Sequence, residues 1–388
     1  MSSPSSEAPI SNDLEFVAKG AYGCIIKPAL PNIRNNEWQL YPKNVTKLFF
    51  EKDDMKKAYN DSKAMYKLLG RNKGHKTHKY KYNYRASNLP NAVRTRCKKI
   101  RSGSRTKLYP LRMPNLGLDV WNIESKYKKY RNIYVGTILD QILKVMKQIE
   151  TLSTKGLIHG DVRETNIMIH PDTGVITLID FDLLYPSDIF YSKTHLGFYC
   201  HPPETFLYKN IMFFMEATPA ERDAEYESKE FHERLETYAN HHSNFVFGKA
   251  EYLDRPVSMD DIKSALNDSI AYMKTLGVHD RADLRKLLLP NFDGYGFAFT
   301  LLEFLAYVYP STLVRIQHDR YDSVLKDRIK DGSHKYKSRE ISIIRKTIHA
   351  LVYDVLIHMV DLRLEHRLDI HQAVERAQSI IEEFHEDM

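Results

Sequence analysis

Two short stretches constrain this chain more than anything else in it: His159-Gly160-Asp161-Val162-Arg163-Glu164-Thr165-Asn166-Ile167-Met168, and Asp180-Phe181-Asp182 shortly after. The pattern is Asp161, then Asn166, then Asp180. Phosphoryl transfer needs these groups: one carboxylate to orient an attacking hydroxyl, and an amide oxygen with a second carboxylate to hold Mg²⁺ on nucleotide phosphates. The intervening run from Met168 to Ile179 has Pro171-Asp172-Thr173-Gly174 near its middle. It reads as strand, turn, strand. A hairpin there brings Asn166 and Asp180 to the same end of a small sheet.

Upstream, Ala18-Lys19-Gly20-Ala21-Tyr22-Gly23-Cys24-Ile25 lies between two strand-like segments. Glycines at 20 and 23 let a backbone close over phosphates with no side chain in the way. Alone such a spacing marks an ordinary turn. Here a strand lysine, Lys47 in Asn44-Val45-Thr46-Lys47-Leu48-Phe49-Phe50, follows it, and the Asp161 stretch follows that. Lys47 is read as the cation on the phosphates and needs an acidic partner on the next helix. Asp61 is the first choice, since Met65 and Leu69 then face the core, and Asp54 the second.

The elements divide in two. Leu14–Val17, Cys24–Lys27 and Asn44–Phe50 read as strands, 53–69 as a helix with Met55, Ala58, Ser62, Met65 and Leu69 along one side, and Leu108–Met113 as a last strand before the connector Pro114-Asn115-Leu116-Gly117. From Thr137 the pattern turns helical: Ile138, Leu139, Ile142, Leu143, Met146, Ile149 and Leu152 recur at helical spacing until Gly156. Thr218-Pro219-Ala220-Glu221 is a capping-box helix start, and the charged helix after it is expected to be exposed and to end near Asn240. The expected class is α+β: a tail at 1–13, a small β-rich region at 14–115 with one main helix, and a larger, mostly α region at 116–388.

The net charge of +7 is uneven, with 13 Lys and Arg in residues 71–107 and no acidic residue between Asp61 and Asp119. Tyr80, Tyr82 and Tyr84 alternate there with basic residues. This insert is either a solvated face or a patch for nucleic acid, an acidic partner or an anionic membrane surface. The polar start has no apolar core, and no run is long enough to span a membrane. Cys24, Cys97 and Cys200 are widely spaced and give no disulfide or metal framework, so an intracellular, reducing setting is expected.

Taken in order, these motifs resemble those of a eukaryotic-type protein kinase over roughly 14–383, most like the Ser/Thr protein kinases encoded by large DNA viruses. Gly-Ala-Tyr-Gly-Cys, Val-Thr-Lys-Leu-Phe, Met113-Pro114-Asn115-Leu116-Gly117 and Asp180-Phe181-Asp182 carry the viral likeness, which implies a host cytoplasm or virion setting. Pro202-Pro203-Glu204 resembles the family's Ala-Pro-Glu. Asp293-Gly294-Tyr295-Gly296-Phe297-Ala298 resembles the buried helix whose aspartate braces the catalytic loop, and Arg367 the arginine that pairs with Glu204. The resemblance implies ATP and Mg²⁺ as cofactors and protein Ser/Thr hydroxyls as acceptors. Asp161 would orient the hydroxyl, Arg163 neutralise the γ-phosphate, and Asn166 and Asp180 ligate the metal. Lys47 with Asp61 would hold the α- and β-phosphates, under Ala18, Gly20, Ala21, Tyr22 and Gly23. Ile25, Val45 and Met168 would flank adenine, with Leu111 to Met113 reading its edge and Asp119 reaching the ribose.

Departures temper this. Ala18 stands at the first loop glycine. Gly160 replaces the arginine that usually receives an activation-segment phosphate, which suggests activity without one. Arg163 replaces a lysine with a planar fork, Asp182 a glycine, and Gly197 a substrate-contacting threonine. Residues 206–290 look like an insertion. His-Gly-Asp with Ile-Asp-Phe-Asp also resembles aminoglycoside and choline phosphotransferases, whose catalytic residues would be the same. A nucleotide-binding module without catalysis is the third reading, although Lys47, Asp161, Asn166 and Asp180 are all present.

Overall fold

The fold is that of a computed structural model, which describes residues 14–19, 23–34, 37–41, 43–69, 76–79, 84–85, 87, 89–97, 107–122, 133–181, 184–187, 200–241, 257–308 and 337–388. The chain separates into two compact units, 1–116 and 117–388. The first is a small antiparallel sheet region, the second larger and mainly helical, so the class is α+β as expected.

In the first unit the strands are β1 (Glu15–Lys19), β2 (Gly23–Lys27), β3 (Ala29–Arg34), β4 (Glu37–Tyr41) and β5 (Asn44–Phe49), followed by helix α1 (Lys52–Leu68). Then come β6 (His78–Lys79), β7 (Tyr84–Arg85), α2 (Asn91–Arg96) and β8 (Lys107–Pro114). The main sheet runs β1-β2-β5-β8-β6, with β7 on β8, while β3 and β4 pair separately. Strand side chains alternate between faces. Thr46 and Leu48 of β5 share one face with Cys24 and Ile26 of β2. This face forms a core with Leu14, Leu30, Leu108 and, from α2, Val93 and Cys97. Full burial of a side chain such as Leu48 stabilises by roughly 1.5–3 kcal/mol. Thr46 is tolerated there because its hydroxyl oxygen accepts the Leu30 N–H at 2.9 Å.

That core corrects the cysteine reading. Cys24 on β2 and Cys97 at the end of α2 are disulfide-bonded, with Cα atoms 6.1 Å apart. Distance along the chain hid the pair, because α2 folds back onto the sheet face that carries Cys24. Cys200 is free and buried.

The second unit opens with β9 (Leu118–Asp119), α3 (Val135–Thr154), β10 (Leu157–Ile158), β11 (Ile167–Ile169), β12 (Ile176–Leu178) and β13 (Tyr185–Pro186). Its later helices are α4 (Ile211–Glu216), α5 (Pro219–Tyr226), α6 (Lys229–His241), α7 (Met259–Thr275), α8 (Arg281–Val308), α9 (Ser338–Ala350) and α10 (Ile370–Asp387). The periodic residues of α3 from Ile138 to Leu152 are buried, except half-buried Leu143, and α3 packs on α10, α8 and β12. The capping box at Thr218–Glu221 forms. The exposed helix expected after it does not. The segment breaks into α5 and α6, and Tyr226, Phe231, Leu235, Tyr238 and Ala239 are buried in a shared core with α7. Charges on the outer faces mask that apolar stripe. Among the described residues no helix is long and apolar enough to cross a membrane.

Candidate active site

The hairpin expected between Asn166 and Asp180 is β11–β12, with Ile167 opposite Leu178 and Ile169 opposite Ile176. At its open end the Ile179 N–H donates to the Asn166 carbonyl at 2.9 Å. That bond sets Asn166 beside Asp180. Asp180 is exposed and has φ +64°. The left-handed region is uncommon outside glycine, but aspartate tolerates it better than most residues, and such backbone clusters at functional sites.

The loop before the hairpin is held from below. Asp293, on the buried half of α8, accepts the His159 N–H at 2.6 Å and the Gly160 N–H at 2.9 Å. Gly160 has φ +79°, a conformation that disfavours side chains, which gives a backbone reason for glycine where the resemblance has arginine. Burial pushes the Asp293 carboxyl up to about 6, against the lowering effect of the two N–H donors.

His159 is fully buried. Its Nε2 lies 2.9 Å from the Ile179 carbonyl, which can only accept, so Nε2 carries the proton. Nδ1 then accepts the Asp161 N–H at 3.3 Å. The ring also packs on Phe181 at 4.6 Å between centroids. One imidazole therefore ties the backbone of Asp161 to the residues flanking Asp180. His159 has no assigned role in the motif comparison; its place two residues before Asp161 is the signal the sequence offers.

Asp161 sits in an ordered polar frame. The Asn166 amide N–H₂ donates to its Oδ2 at 2.7 Å and to its backbone carbonyl at 2.8 Å. Both acceptors are oxygens without protons, so the amide nitrogen faces them and the amide oxygen is left for another ligand. Arg163 Nε lies 3.0 Å from Asp161 Oδ1. Burial raises the Asp161 carboxyl, Arg163 and Asn166 pull it down, and Asp180 and Glu164 push it up. Arg163, expected on the γ-phosphate, is thus paired with Asp161.

The Asn166 amide oxygen and the Asp180 carboxylate are hard oxygen donors, which fit Mg²⁺. That ion usually takes one or two protein oxygens and completes its shell with water and substrate phosphates. Among the described residues there is no cluster of three or more His, Cys, Asp or Glu side chains that could hold a metal alone. Met168 stands opposite Asp119 across β11–β9. Both Asp119 oxygens accept from Asn122, at 2.8 to 2.9 Å.

In the first unit, register alone gathers several expected nucleotide residues. Ile25 lies opposite Lys47, Lys47 opposite Leu111, and Val45 opposite Met113. Paired residues share a face, so Ile25, Val45, Lys47, Leu111 and Met113 lie on one side of the sheet, away from the disulfide-bearing core. Lys47 Nζ is 5.1 Å from the Phe49 ring centroid on the same face. Asp61 is half-buried on α1, one turn before buried Met65. Gly23 begins β2, where a Cβ would collide with the Leu48 carbonyl, so glycine here serves strand packing. Ala18 pairs with Ile25 beside a β-bulge. Gly20, Ala21, Tyr22, Tyr80, Tyr82, Asp182, Gly197 and the 1–13 tail lie outside the described residues, as do 71–75, 80–83 and 98–106 of the basic insert.

The ion pair expected between Glu204 and Arg367 forms. Arg367 NH1 lies 2.8 Å from Glu204 Oε2 and NH2 lies 3.1 Å from Oε1, with both side chains fully buried.

The model of the phosphotransferase enzyme family APH matches residues 113–223. That span carries Asp119, the Asp161–Asn166 loop, the hairpin to Asp180 and Glu204. No curated protein matches the chain. The coarse class supported by both match and fold is a phosphotransferase of the broad group that includes kinase-like and small-molecule enzymes.

Proposed function

We propose that this chain is an ATP- and Mg²⁺-dependent protein kinase acting on Ser/Thr hydroxyls, of the kind that large DNA viruses encode. The observation that carries the reading is the buried Glu204–Arg367 pair, which anchors the segment where a protein acceptor would dock in such enzymes. A small-molecule phosphotransferase has no need of that anchor.

Asp161 accepts or orients the hydroxyl proton during in-line attack. Its partners Arg163 and Asn166 hold it in place and keep more of it ionised. Asn166 and Asp180 are the proposed Mg²⁺ ligands; when bound, the ion neutralises charge developing on the transferred group. Lys47 is assigned the α- and β-phosphates, with Asp61 as acidic partner. The loop Ala18, Gly20, Ala21, Tyr22 and Gly23 is assigned the phosphate cover, and Ile25, Val45, Leu111, Met113, Asp119 and Met168 the nucleoside. The basic insert is assigned an acidic partner or nucleic acid.

The family match is equally compatible with a second reading, transfer to a small-molecule alcohol. Transfer of label from γ-labelled ATP to casein, myelin basic protein, kanamycin and choline separates the two. Phosphoserine or phosphothreonine on protein supports the first reading; label on kanamycin or choline alone replaces it with the second.

A further inference from the structure

Residues 206–290 have no counterpart in the resemblance, yet two of their side chains reach the segment around Glu204. Tyr238 of α6 is 1% exposed. Its hydroxyl donates to the His201 carbonyl at 2.9 Å and lies 2.7 Å from the Tyr295 hydroxyl. A carbonyl only accepts, so the single Tyr238 proton goes to His201, and Tyr295 donates to Tyr238. The Tyr295 ring in turn faces the Arg367 guanidinium, 5.2 Å from its centroid. From α7, the Ser269 hydroxyl donates to Glu204 Oε1 at 2.8 Å, while its oxygen accepts the Leu364 N–H at 3.3 Å.

We infer that Tyr238 and Ser269 are positioning residues by which the 206–290 helices clamp the 200–204 segment in its acceptor-binding shape, so that no phosphate on the chain is needed to order it. This inference rests on the protein-kinase reading above. His201, Glu204 and Ser269 are each no more than 2% exposed. Polar groups this deeply buried are costly unless satisfied, and a satisfied buried network specifies one arrangement. The clamp also continues toward the catalytic loop. The His201 ring lies 4.6 Å from that of Phe292, whose neighbour Asp293 holds His159 and Gly160. Gly160 fits this scheme, because the side chain that usually answers to a phosphate is missing and a built-in clamp takes over its task.

The test uses the full chain, treated with a protein phosphatase, with Tyr238→Phe, Ser269→Ala and Ser269→Thr. Hydrogen exchange of amides 200–206 is followed alongside KM for ATP and kcat/KM for casein. Phosphatase-treated wild type is expected to keep its activity. Tyr238→Phe and Ser269→Ala are expected to speed exchange at 200–206 and to lower kcat/KM for casein by about tenfold, the scale of one buried hydrogen bond. KM for ATP should hold, and Ser269→Thr should restore both readouts. Unchanged exchange in both variants overturns the clamp whatever the chemistry, and so does loss of wild-type activity on phosphatase treatment. Faster exchange in the variants with no wild-type transfer to protein supports the clamp's ordering role and defeats the protein-kinase reading instead.

Discussion

Replacing Arg367 with methionine should be among the most destabilising single changes in the second unit. The guanidinium makes two bonds to Glu204, donates from Nε to the Asp361 carbonyl at 2.8 Å, and from NH2 to the Leu362 carbonyl at 3.1 Å. Methionine fills much of the volume and makes none of these bonds. Glu204 would remain fully buried with only the Ser269 hydroxyl of its present side-chain partners. Removing one member of a buried pair costs about 3–5 kcal/mol, because the survivor is an uncompensated charge. Removing both charges is far milder, so Glu204→Gln combined with Arg367→Met should recover at least about 1 kcal/mol relative to the sum of the singles. Equilibrium urea unfolding followed by far-UV circular dichroism, on all four proteins, measures the cycle. A loss below about 1 kcal/mol for Arg367→Met, or strictly additive singles, would refute the reasoning.

Other expectations follow from the same geometry. The Asp293 carboxyl is pushed up to about 6 in the folded chain. Its contribution to stability is therefore full below about pH 4 and lost as pH rises through about 6, amounting to about 3 kcal/mol. The stability difference between wild type and the non-titrating Asp293→Asn should shift by that amount between pH 4 and 7, and a pH-independent difference would contradict the assignment. Arg163→Ala removes a group that lowers the Asp161 carboxyl, so the acid limb of kcat/KM should move to higher pH, as a pH–rate profile would read directly. Cys97→Ser opens a disulfide spanning 73 residues and should cost about 2–4 kcal/mol. Alkylation under denaturing conditions should find one free thiol before reduction, the otherwise buried Cys200, and three after it.

The chemistry-bearing core was legible because its residue types and spacing are dictated locally. Asp161, Asn166 and Asp180 belong to one loop and one hairpin, and Pro171 to Gly174 announce the turn between them. The Glu204–Arg367 and Asp293 contacts, although distant in sequence, could be placed through the resemblance. What stayed hidden depended on packing between segments with no shared pattern. Cys24 and Cys97 meet only because α2 returns to the sheet. Tyr238 lies in a segment whose charges suggested exposure, and Ser269 is one serine among many until α7 sets it against Glu204. The Arg163–Asp161 pair was within reach of a two-residue spacing, but a side chain's direction in an irregular loop does not follow from spacing alone.

Phosphoryl transfer and nucleotide binding measured side by side in wild type and Asp161→Asn test the central claim most directly. The substitution keeps the size of the side chain and removes the carboxylate that orients the acceptor. The account predicts transfer of the γ-phosphate by wild type, loss of turnover by at least about a hundredfold in the variant, and ATP affinity largely retained in the presence of Mg²⁺. Undiminished transfer in Asp161→Asn, or ATP affinity lost in step with turnover, would contradict it.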